Sequence, residues 1–444
     1  MNQLAITKTD AERVASEVLN GQTERCAVLF ASRFDPGNGR VRFINREIEI
    51  PGPENYSKQS AIRAELRPEF VAKVSKTARI RGDSIVFVHS HPGKSRPTFS
   101  KVDDVGEDRL ARFLAIRMPE VAHGAIVVSS GGWVGRQLGT SNPMKIVSVG
   151  DHRQVLFDPV LLDQYIPQLY DRQVRAFGEA GQCLIQSLTV AIVGLGGTGS
   201  VAAEQLAYLG VKQFILIDPD EVEFANLNRI VGATASDVGR SKVDVATDQI
   251  LRIAPESSVK CIRGDVTRTS AAKELLAADF ILSCTDSHGS RAVIQQVAYQ
   301  YLIPAIDVGS VLTASDGQVT GIHGRVQALA PGLPCLTCSG LIDAEEVRRD
   351  MMNEEERRSD PYILGAREPA PSVIAINSTV TSLAVTMFMA ITVGIPSEGR
   401  YVLYNAKRPS LRSVTVSANP TCYICSPVGV LGRGDGQVLF ARDE

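Results

Sequence analysis

Four glycines directly after an apolar run could hold a phosphate group. The run is Leu188 to Val193, and the glycines that follow it are Gly194, Gly196, Gly197 and Gly199. We predict a strand, a tight turn and then a helix over Val201 to Leu209, whose first N–H groups and dipole favour an anion. Asp218 closes the next apolar run, where its carboxylate would bind a ribose. This pattern alone predicts a nucleotide, and NAD and FAD domains share it.

Two histidines and an aspartate have the spacing of metal ligands. His89 and His91 lie two residues apart, so both imidazoles leave the same face of an extended strand. Asp103 follows twelve residues after His91. Two neutral imidazoles, one carboxylate and an open fourth position are the ligand set of a catalytic zinc. Two histidines in a strand can equally be a surface or core feature, so the spacing alone leaves both interpretations open.

Half of the eight cysteines form two short pairs. A site of four thiolates is typical of structural zinc, and a redox pair is the alternative. The paired residues are Cys335 with Cys338 and Cys422 with Cys425. The remaining thiols lie in or beside apolar runs, where a small buried side chain is expected. They are Cys26, Cys183, Cys261 and Cys284.

The elements that must position these residues indicate an α/β protein. A chain of 444 residues with 44% hydrophobic and 6% aromatic content suits α/β architecture in two principal domains. We predict a first domain over residues 1–150, a linker over 151–165 and a second domain over 166–444. In the first domain, strands are expected over 26–34, 40–50 and from 84 onward, and helices over 10–19 and 61–77.

Charge and hydropathy argue against several classes of partner. The net charge of −2 provides no field for nucleic acid or an anionic membrane, which need clustered basic residues. The N-terminus lacks a basic patch followed by an apolar core, so we expect a cytoplasmic protein. The apolar stretch from Val373 to Ile395 carries too many polar residues for a membrane span, and we expect a buried core or interface helix.

The histidine strand belongs to a longer pattern. His89-Ser-His91-Pro92, seven residues, Ser100, two residues and Asp103 resembles the JAMM (JAB/MPN) metalloprotease motif, over roughly residues 10–140. The resemblance implies an α/β JAMM domain with a catalytic zinc on His89, His91 and Asp103. Enzymes of that family remove ubiquitin or ubiquitin-like proteins by cutting after the C-terminal glycine of the modifier.

The same resemblance implies two further catalytic residues. Family members use an upstream glutamate as general base, and Glu24, which precedes the strand at Cys26, fits that place. Glu47 is the fallback. Ser100 would donate a hydrogen bond to the oxyanion of the tetrahedral intermediate, although its position could equally make it the cap of the following helix.

Three segments downstream of the glycine loop change the expected nucleotide from a dinucleotide cofactor to ATP. The run from Asp218 to Arg229, the segment Gly239-Arg-Ser-Lys242 and the segment Cys284-Thr-Asp286 resemble the ThiF/MoeB and ubiquitin-activating-enzyme superfamily, over about residues 165–430. The resemblance implies a Rossmann-like adenylation domain with a structural zinc site, which uses ATP and Mg²⁺. A dehydrogenase needs no cations aimed at a triphosphate, whereas an adenylating enzyme must stabilise charge on the phosphates.

Site residues follow from this resemblance position by position. The loop backbone would hold the nucleotide and Asp218 the ribose, while phosphates would contact Asn226, Arg229 and Lys242. Asp286 would hold Mg²⁺, a hard cation that prefers oxygen ligands. Arg172 would act as an arginine finger, which in homodimeric relatives reaches into the site of the partner subunit.

Together the two resemblances predict a bifunctional enzyme of a ubiquitin-like modifier pathway. The second domain would adenylate the C-terminal glycine of a ubiquitin-like protein, and the zinc peptidase would process the modifier or remove it from targets. The expected partners are the modifier, a conjugating enzyme and a second copy of the chain. The segment Ser339 to Ser372 contains no cysteine, so we predict adenylation without a thioester on this loop. The alternatives are activation of a sulfur-carrier protein for cofactor or cysteine synthesis, and a scaffold without catalysis.

Overall fold

The computed structural model describes residues 1–37, 39–93, 96–315, 318–353, 356 and 371–443. The chain divides into two compact units. Unit 1 comprises Met1–Val160, Gln300–Leu302 and Leu431–Val438, and unit 2 comprises Leu161–Tyr299, Ile303–Val430 and Leu439–Glu444. Two short segments from the second half of the sequence therefore belong to unit 1. The first domain predicted from the sequence, residues 1–150, does not include them.

The described chain contains both helices and strands. The helices are α1 (Lys8–Val18), α2 (Pro68–Arg81), α3 (Lys101–Arg117), α4 (Asp171–Ser187), α5 (Gly199–Leu209), α6 (Lys242–Ile253), α7 (Thr269–Glu274), α8 (His288–Gln300), α9 (Ala344–Met351) and α10 (Ile374–Val393). The strands are β1 (Asn2–Thr7), β2 (Cys26–Phe34), β3 (Arg42–Glu49), β4 (Tyr56–Ser60), β5 (Arg63–Leu66), β6 (Ser84–Ser90), β7 (Gly124–Ser129), β8 (Gly132–Gln137), β9 (Met144–Val149), β10 (Arg153–Phe157), β11 (Thr189–Val193), β12 (Gln213–Ile217), β13 (Ser258–Ile262), β14 (Phe280–Ser283), β15 (Ala305–Ser315), β16 (Gln318–Leu329), β17 (Tyr401–Asn405) and β18 (Ser410–Ser413).

Unit 1 is built on a mixed sheet with helices on both faces. Its strand order is β10-β9-β1-β3-β2-β6-β7-β8. Successive side chains of a strand point to opposite faces, and β2 is buried on both. Ala27, Leu29 and Ala31 pack in the same core as residues of α1, whereas Val28 and Phe30 pack with residues of α2 and α3. Strand β6, which carries His89, lies beside β2 in the middle of this sheet.

One predicted element of unit 1 is wrong at its start. The expected helix over 61–77 is instead the end of the hairpin β4–β5 followed by α2, which begins at Pro68. Proline at the first helical position is favourable because its missing N–H has no partner there in any helix. The strand predicted over 26–34 is confirmed as β2.

Unit 2 contains a parallel sheet that continues into antiparallel strands. The order is β13-β12-β11-β14-β15-β16-β17-β18, parallel from β13 to β15 and antiparallel beyond. Numbered along the chain, the parallel strands run 3-2-1-4-5, which is the Rossmann order. In such sheets ligands bind beyond the carboxyl ends of the strands where the order reverses. Here that point lies between β11 and β14.

Helix α10 packs against the strands and helices that surround this point. It contacts α4, α5, β15 and β16, and Phe388 meets Phe280 of β14 edge to face with ring centroids 4.9 Å apart. Among the described residues, this one helix is long and apolar enough to cross a membrane by length and composition alone. Half of its most apolar 18-residue stretch is buried in the structure, and a buried core helix has the same length and composition. The burial agrees with the expected core helix.

Candidate nucleotide site and metal centres

The glycine loop lies at the switch point between β11 and β14. Gly194 has a φ of +86°, and a β-carbon there would lie 2.8 Å from the carbonyl oxygen of Cys284. A β-carbon on Gly199 would clash with the carbonyl oxygen of Gly194. At Gly196, by contrast, a β-carbon would meet no atom within 4 Å. Gly194 and Gly199 are therefore required by the tight turn, whereas Gly196 borders open space where a ligand could approach.

Asp218 connects the loop to the second strand. It is 4% exposed, and its two carboxylate oxygens accept from the N–H groups of Leu195 at 2.6 Å and Asp220 at 2.8 Å. Burial raises the pKa of this carboxyl group, and the positive charge of Lys242 opposes that rise. A buried carboxylate held by two backbone donors has a fixed direction, as a ribose-binding acid requires.

A chain of polar contacts leads from Asp218 to the predicted phosphate-binding lysine. Lys242 begins α6, and its Nζ lies 2.7 Å from Oδ2 of Asp220. The Lys242 side chain is 12% exposed and that of Asp220 is 62% exposed. An ion pair with so exposed a partner is weak, so a phosphate could displace the carboxylate.

Asn226 and Arg229 lie on the short turn after β12. Asn226 is buried, and its Oδ1 accepts from the N–H of Glu223 at 3.2 Å. Arg229 donates through Nη1 to the carbonyl oxygen of Ala225 at 2.6 Å. Its Cδ would lie 3.5 Å from a β-carbon on Gly197, which places its side chain beside the glycine loop. The structure thus brings Arg229 to the loop and gives Asn226 a role in shaping the turn.

Asp286 follows β14 at the same edge of the sheet. Cys284, two residues earlier, donates its N–H to the carbonyl oxygen of Val193 at 2.8 Å, and Thr198 Oγ1 donates to its carbonyl oxygen at 3.3 Å. Asp286 is exposed, and its position beside the loop suits a carboxylate that holds a cation.

Arg172 is exposed near the start of α4, and the described residues show no hydrogen bond or ion pair of its side chain.

One residue of the site was missed as a functional candidate. Asn377 of α10 is 1% exposed and accepts from Ser310 Oγ at 3.0 Å. A β-carbon on Gly197 would collide with its Nδ2, so this amide packs directly against the glycine loop. The sequence offered a signal, because a polar residue in an apolar helix must find a buried partner.

The four unpaired cysteines differ in accessibility. Burial raises the pKa of the Cys26 thiol and of the Cys284 thiol to about 12, and burial also raises that of Cys183. Cys261 is exposed, with its Sγ 3.0 Å from Thr247 Oγ1. The first three thiols are therefore poor nucleophiles at neutral pH. The segment Ser339 to Ser372, where we noted no cysteine, lies partly outside the described residues.

His89, His91 and Asp103 come together in unit 1. The Nε2 atoms of the two histidines are 3.2 Å apart, and Asp103 oxygens lie 3.2 Å from His89 Nε2 and 3.4 Å from His91 Nε2. Nitrogen and oxygen ligands of a tetrahedral zinc, about 2.0–2.1 Å from the ion, lie about 3.3 Å from one another. The two imidazole nitrogens and the Asp103 carboxylate are therefore close enough together to share such an ion.

The two candidate glutamates lie in different surroundings. Glu24 is 6% exposed, and its Oε1 lies 3.8 Å from His91 Nε2. Glu47 is half-exposed and forms an ion pair with Arg81 of α2. The structure brings Glu24, and not Glu47, to the histidines.

Ser100 caps α3, as the alternative interpretation expected. Its Oγ accepts from the N–H of Asp103 at 3.2 Å, and its own N–H donates to Asp103 Oδ2 at 2.6 Å. Because the hydroxyl accepts in the first bond, its proton can still be donated elsewhere. The oxyanion role stays a prediction.

The four paired cysteines form one cluster in unit 2. Their ligand atoms all lie within 4.8 Å of one another. The Sγ atoms of Cys335 and Cys422, and those of Cys338 and Cys425, are 3.6 Å apart. Thiolates about 2.3 Å from a tetrahedral zinc would lie about 3.8 Å apart. The cluster could therefore bind a zinc ion and so connect the segment after β16 to the segment after β18.

Comparison with known proteins identifies relatives of unit 2. The model of the ThiF family matches residues 170–424, more than half of the chain. "Molybdopterin-synthase adenylyltransferase" of Escherichia coli is 28% identical over 258 residues, 58% of this chain and 95% of that protein. "SAMP-activating enzyme E1" of Haloferax volcanii is 24% identical over 285 residues, with 62% and 92% covered. "Adenylyltransferase and sulfurtransferase MOCS3" of Drosophila virilis is 27% identical over 262 residues, with 58% and 53% covered.

The family match begins at residue 170. It includes the glycine loop, the residues around it and three of the four paired cysteines, and Cys425 lies one residue beyond its end. The zinc peptidase that we predict for residues 1–150 lies outside the match and stays a prediction.

Proposed function

Since the chain belongs to the ThiF family, we propose that unit 2 is an adenylyltransferase that uses ATP to activate the C-terminal carboxylate of a small carrier protein. One observation carries this proposal. At the switch point of a Rossmann sheet, the Asp218 carboxylate accepts from the backbone N–H groups of Leu195 and Asp220, and the Asp220 carboxylate in turn accepts from Lys242.

The reaction assigns a task to each of these groups. A carboxylate oxygen of the carrier attacks the α-phosphorus of ATP, and the bond from that phosphorus to the bridging oxygen breaks, so pyrophosphate leaves with the electron pair. Lys242 and Arg229 would stabilise the charge on the phosphates, and Asp218 would accept hydrogen bonds from the ribose. Asp286 would hold Mg²⁺, which supplies further positive charge at the phosphates.

The names of the relatives favour a sulfur-carrier protein as the substrate. A molybdopterin-synthase adenylyltransferase and a sulfurtransferase support the sulfur-transfer alternative more directly than conjugation of a modifier to targets. The SAMP-activating enzyme keeps a ubiquitin-like modifier as the second candidate. Under that candidate, a conjugating enzyme would be the acceptor. A homodimer, with Arg172 reaching the site of the second copy, would suit either substrate.

The two substrates give different products. Incubation of the full chain with ATP, a sulfur donor and a candidate carrier would yield a carrier thiocarboxylate, which mass spectrometry detects. Transfer of the carrier to lysines of other proteins without a thiocarboxylate would instead support conjugation.

We propose a second activity, a zinc peptidase, for unit 1. The triangle of His89, His91 and Asp103 with Glu24 beside it supports this proposal. Bound zinc would polarise a substrate carbonyl and lower the pKa of a water molecule. Glu24 would take the proton from that water, and the hydroxyl of Ser100 could donate to the developing oxyanion. The peptidase would release the carrier from a precursor or a product.

A further inference from the structure

Arg136, on β8, contacts three side chains around the start of α3. Its Nη2 lies 2.7 Å from Asp104 Oδ1, and its Nε lies 3.0 Å from Glu107 Oε2. Its guanidinium carbon lies 3.8 Å from the centroid of the Phe99 ring. One planar cation is thus held by two carboxylates and stacked on an aromatic face, a combination that a lysine cannot reproduce.

The three contacts enclose the segment that carries a candidate metal ligand. Phe99 directly precedes Ser100, Asp104 directly follows Asp103, and Glu107 lies one helical turn later. Between them, the reciprocal bonds of Ser100 and Asp103 fix the direction of the Asp103 carboxylate. Whatever holds the flanking residues therefore also fixes the carboxylate that faces the two histidines.

Burial distinguishes the Arg136–Glu107 pair from an ordinary surface ion pair. The side chains of Arg136 and Glu107 are 16% and 8% exposed, so water screens their interaction poorly. Among the described residues, Glu107 Oε1 is buried without a hydrogen-bond partner. Removing the arginine would leave a buried carboxylate without its counter-ion, and the first turns of α3 would have to move to solvate it.

We propose that Arg136 is a positioning residue for the candidate metal site of unit 1. It holds Phe99, Asp104 and Glu107 so that Asp103 completes the triangle with His89 and His91. Arg136 does not touch the ligand atoms, and it acts through the backbone on either side of Ser100 and Asp103. The inference rests on the proposed metal site, and it does not depend on what reaction that site performs.

The test measures metal affinity in the full chain. Arg136→Lys keeps the charge but loses the forked contact and the stacking, and Arg136→Met removes the charge as well. We expect zinc at the histidine site to bind about 10–100-fold more weakly in both variants, the range typical of residues that orient metal ligands. Competition with a chromophoric chelator gives the affinity, and His89→Asn identifies which zinc equivalent belongs to this site.

Cobalt substitution supplies a spectroscopic readout. We expect Arg136→Lys to change the visible absorption of Co²⁺ at the histidine site while the cobalt–thiolate bands of the four cysteines stay as in the wild type. Arg46→Lys is the matched control, since Arg46 forms a comparably buried pair with Asp83, at 2.8 Å and with side chains 19% and 2% exposed.

The outcomes separate this inference from the proposed peptidase. Weaker metal binding in Arg136→Lys but not in Arg46→Lys supports the inference, even if the wild type shows no peptidase activity, which would refute the peptidase alone. Wild-type affinity in both Arg136 variants overturns the inference and leaves the peptidase standing. Equal loss in Arg46→Lys also overturns it, because the effect would then be general destabilisation. A wild type that binds no metal at His89 overturns both proposals.

Discussion

Two glycines of the loop differ in what a β-carbon would meet, and this difference separates packing from ligand binding. Gly199→Ala should lower the melting temperature, because its methyl group would collide with the backbone of Gly194. Gly196→Ala adds a methyl group to open space and should melt as the wild type does. If the loop receives phosphates, that methyl group should still raise the KM for ATP about tenfold, a loss of about 1.4 kcal/mol.

Thermal melts and ATP titrations of the two variants check this prediction. A Gly196→Ala protein that binds ATP as tightly as the wild type would mean that the nucleotide does not approach the loop there.

Glu24 and Glu47 offer a second contrast between single residues. Glu24→Gln removes a base near His91 without removing a candidate metal ligand, so cleavage of a carrier fusion should fall about 10²–10⁴-fold with metal content unchanged. The Glu47→Gln variant should cleave normally, because Glu47 pairs with Arg81 and not with the histidines. Initial rates of fusion cleavage and metal analysis of both full-length variants provide the measurement. Normal cleavage by Glu24→Gln would refute its role as the base.

The sequence predicted that three residues with metal-binding side chains lie close together, but it did not predict the residues that hold them. His89, His91 and Asp103 have a spacing that strand and helix geometry convert into proximity. Asp220 pairs with Lys242 and Arg136 pairs with Asp104, residues that are distant in the sequence, and no local spacing predicts such contacts.

At the scale of elements, strands with a continuous apolar run were predictable. Strands β2 and β11 are buried on both faces, and burial on both faces leaves an apolar run in the sequence. The hairpin β4–β5 was not predictable, because its exposed side chains carry no alternation and include good helix formers. Its strands form by pairing with each other, and pairing overrides intrinsic helix propensity.

The four-cysteine cluster gives a prediction at this scale. Cys425→Ser should lower the metal content by one zinc per chain and lower the melting temperature of unit 2, because thiolates from two distant segments would no longer share an ion. Cys261→Ser is the matched control, since that thiol is exposed and outside the cluster. Metal analysis and calorimetry provide the comparison. Unchanged zinc content in Cys425→Ser would show that the cluster is not a zinc site.

At the scale of the whole molecule, the sequence indicated two α/β domains but not the composition of unit 1. That unit includes Gln300–Leu302 and Leu431–Val438. Within it, Gln300 donates to the carbonyl oxygen of Gly434 at 2.8 Å, and Tyr301 donates to Asp435 Oδ1 at 2.7 Å. Contacts between residues more than a hundred positions apart leave no periodic signal. Experiments on the histidine site therefore use the full chain.

Two activities on one polypeptide would act on the same kind of carrier. Tethering a peptidase that exposes a glycine tail to an enzyme that activates that tail raises its effective concentration. This advantage would apply to a sulfur carrier and to a conjugated modifier alike.

The central claim is that the glycine loop and its cations adenylate the C-terminus of a carrier, and ATP–pyrophosphate exchange tests it most directly. With a small carrier protein that ends in glycine, the wild type should incorporate labelled pyrophosphate into ATP only when carrier and Mg²⁺ are both present. Lys242→Ala should exchange about 10²-fold more slowly or worse, because a cation at the phosphates is lost. Lys260→Ala, which removes a lysine paired with Glu274, should exchange normally. Exchange by Lys242→Ala at the wild-type rate would contradict the account.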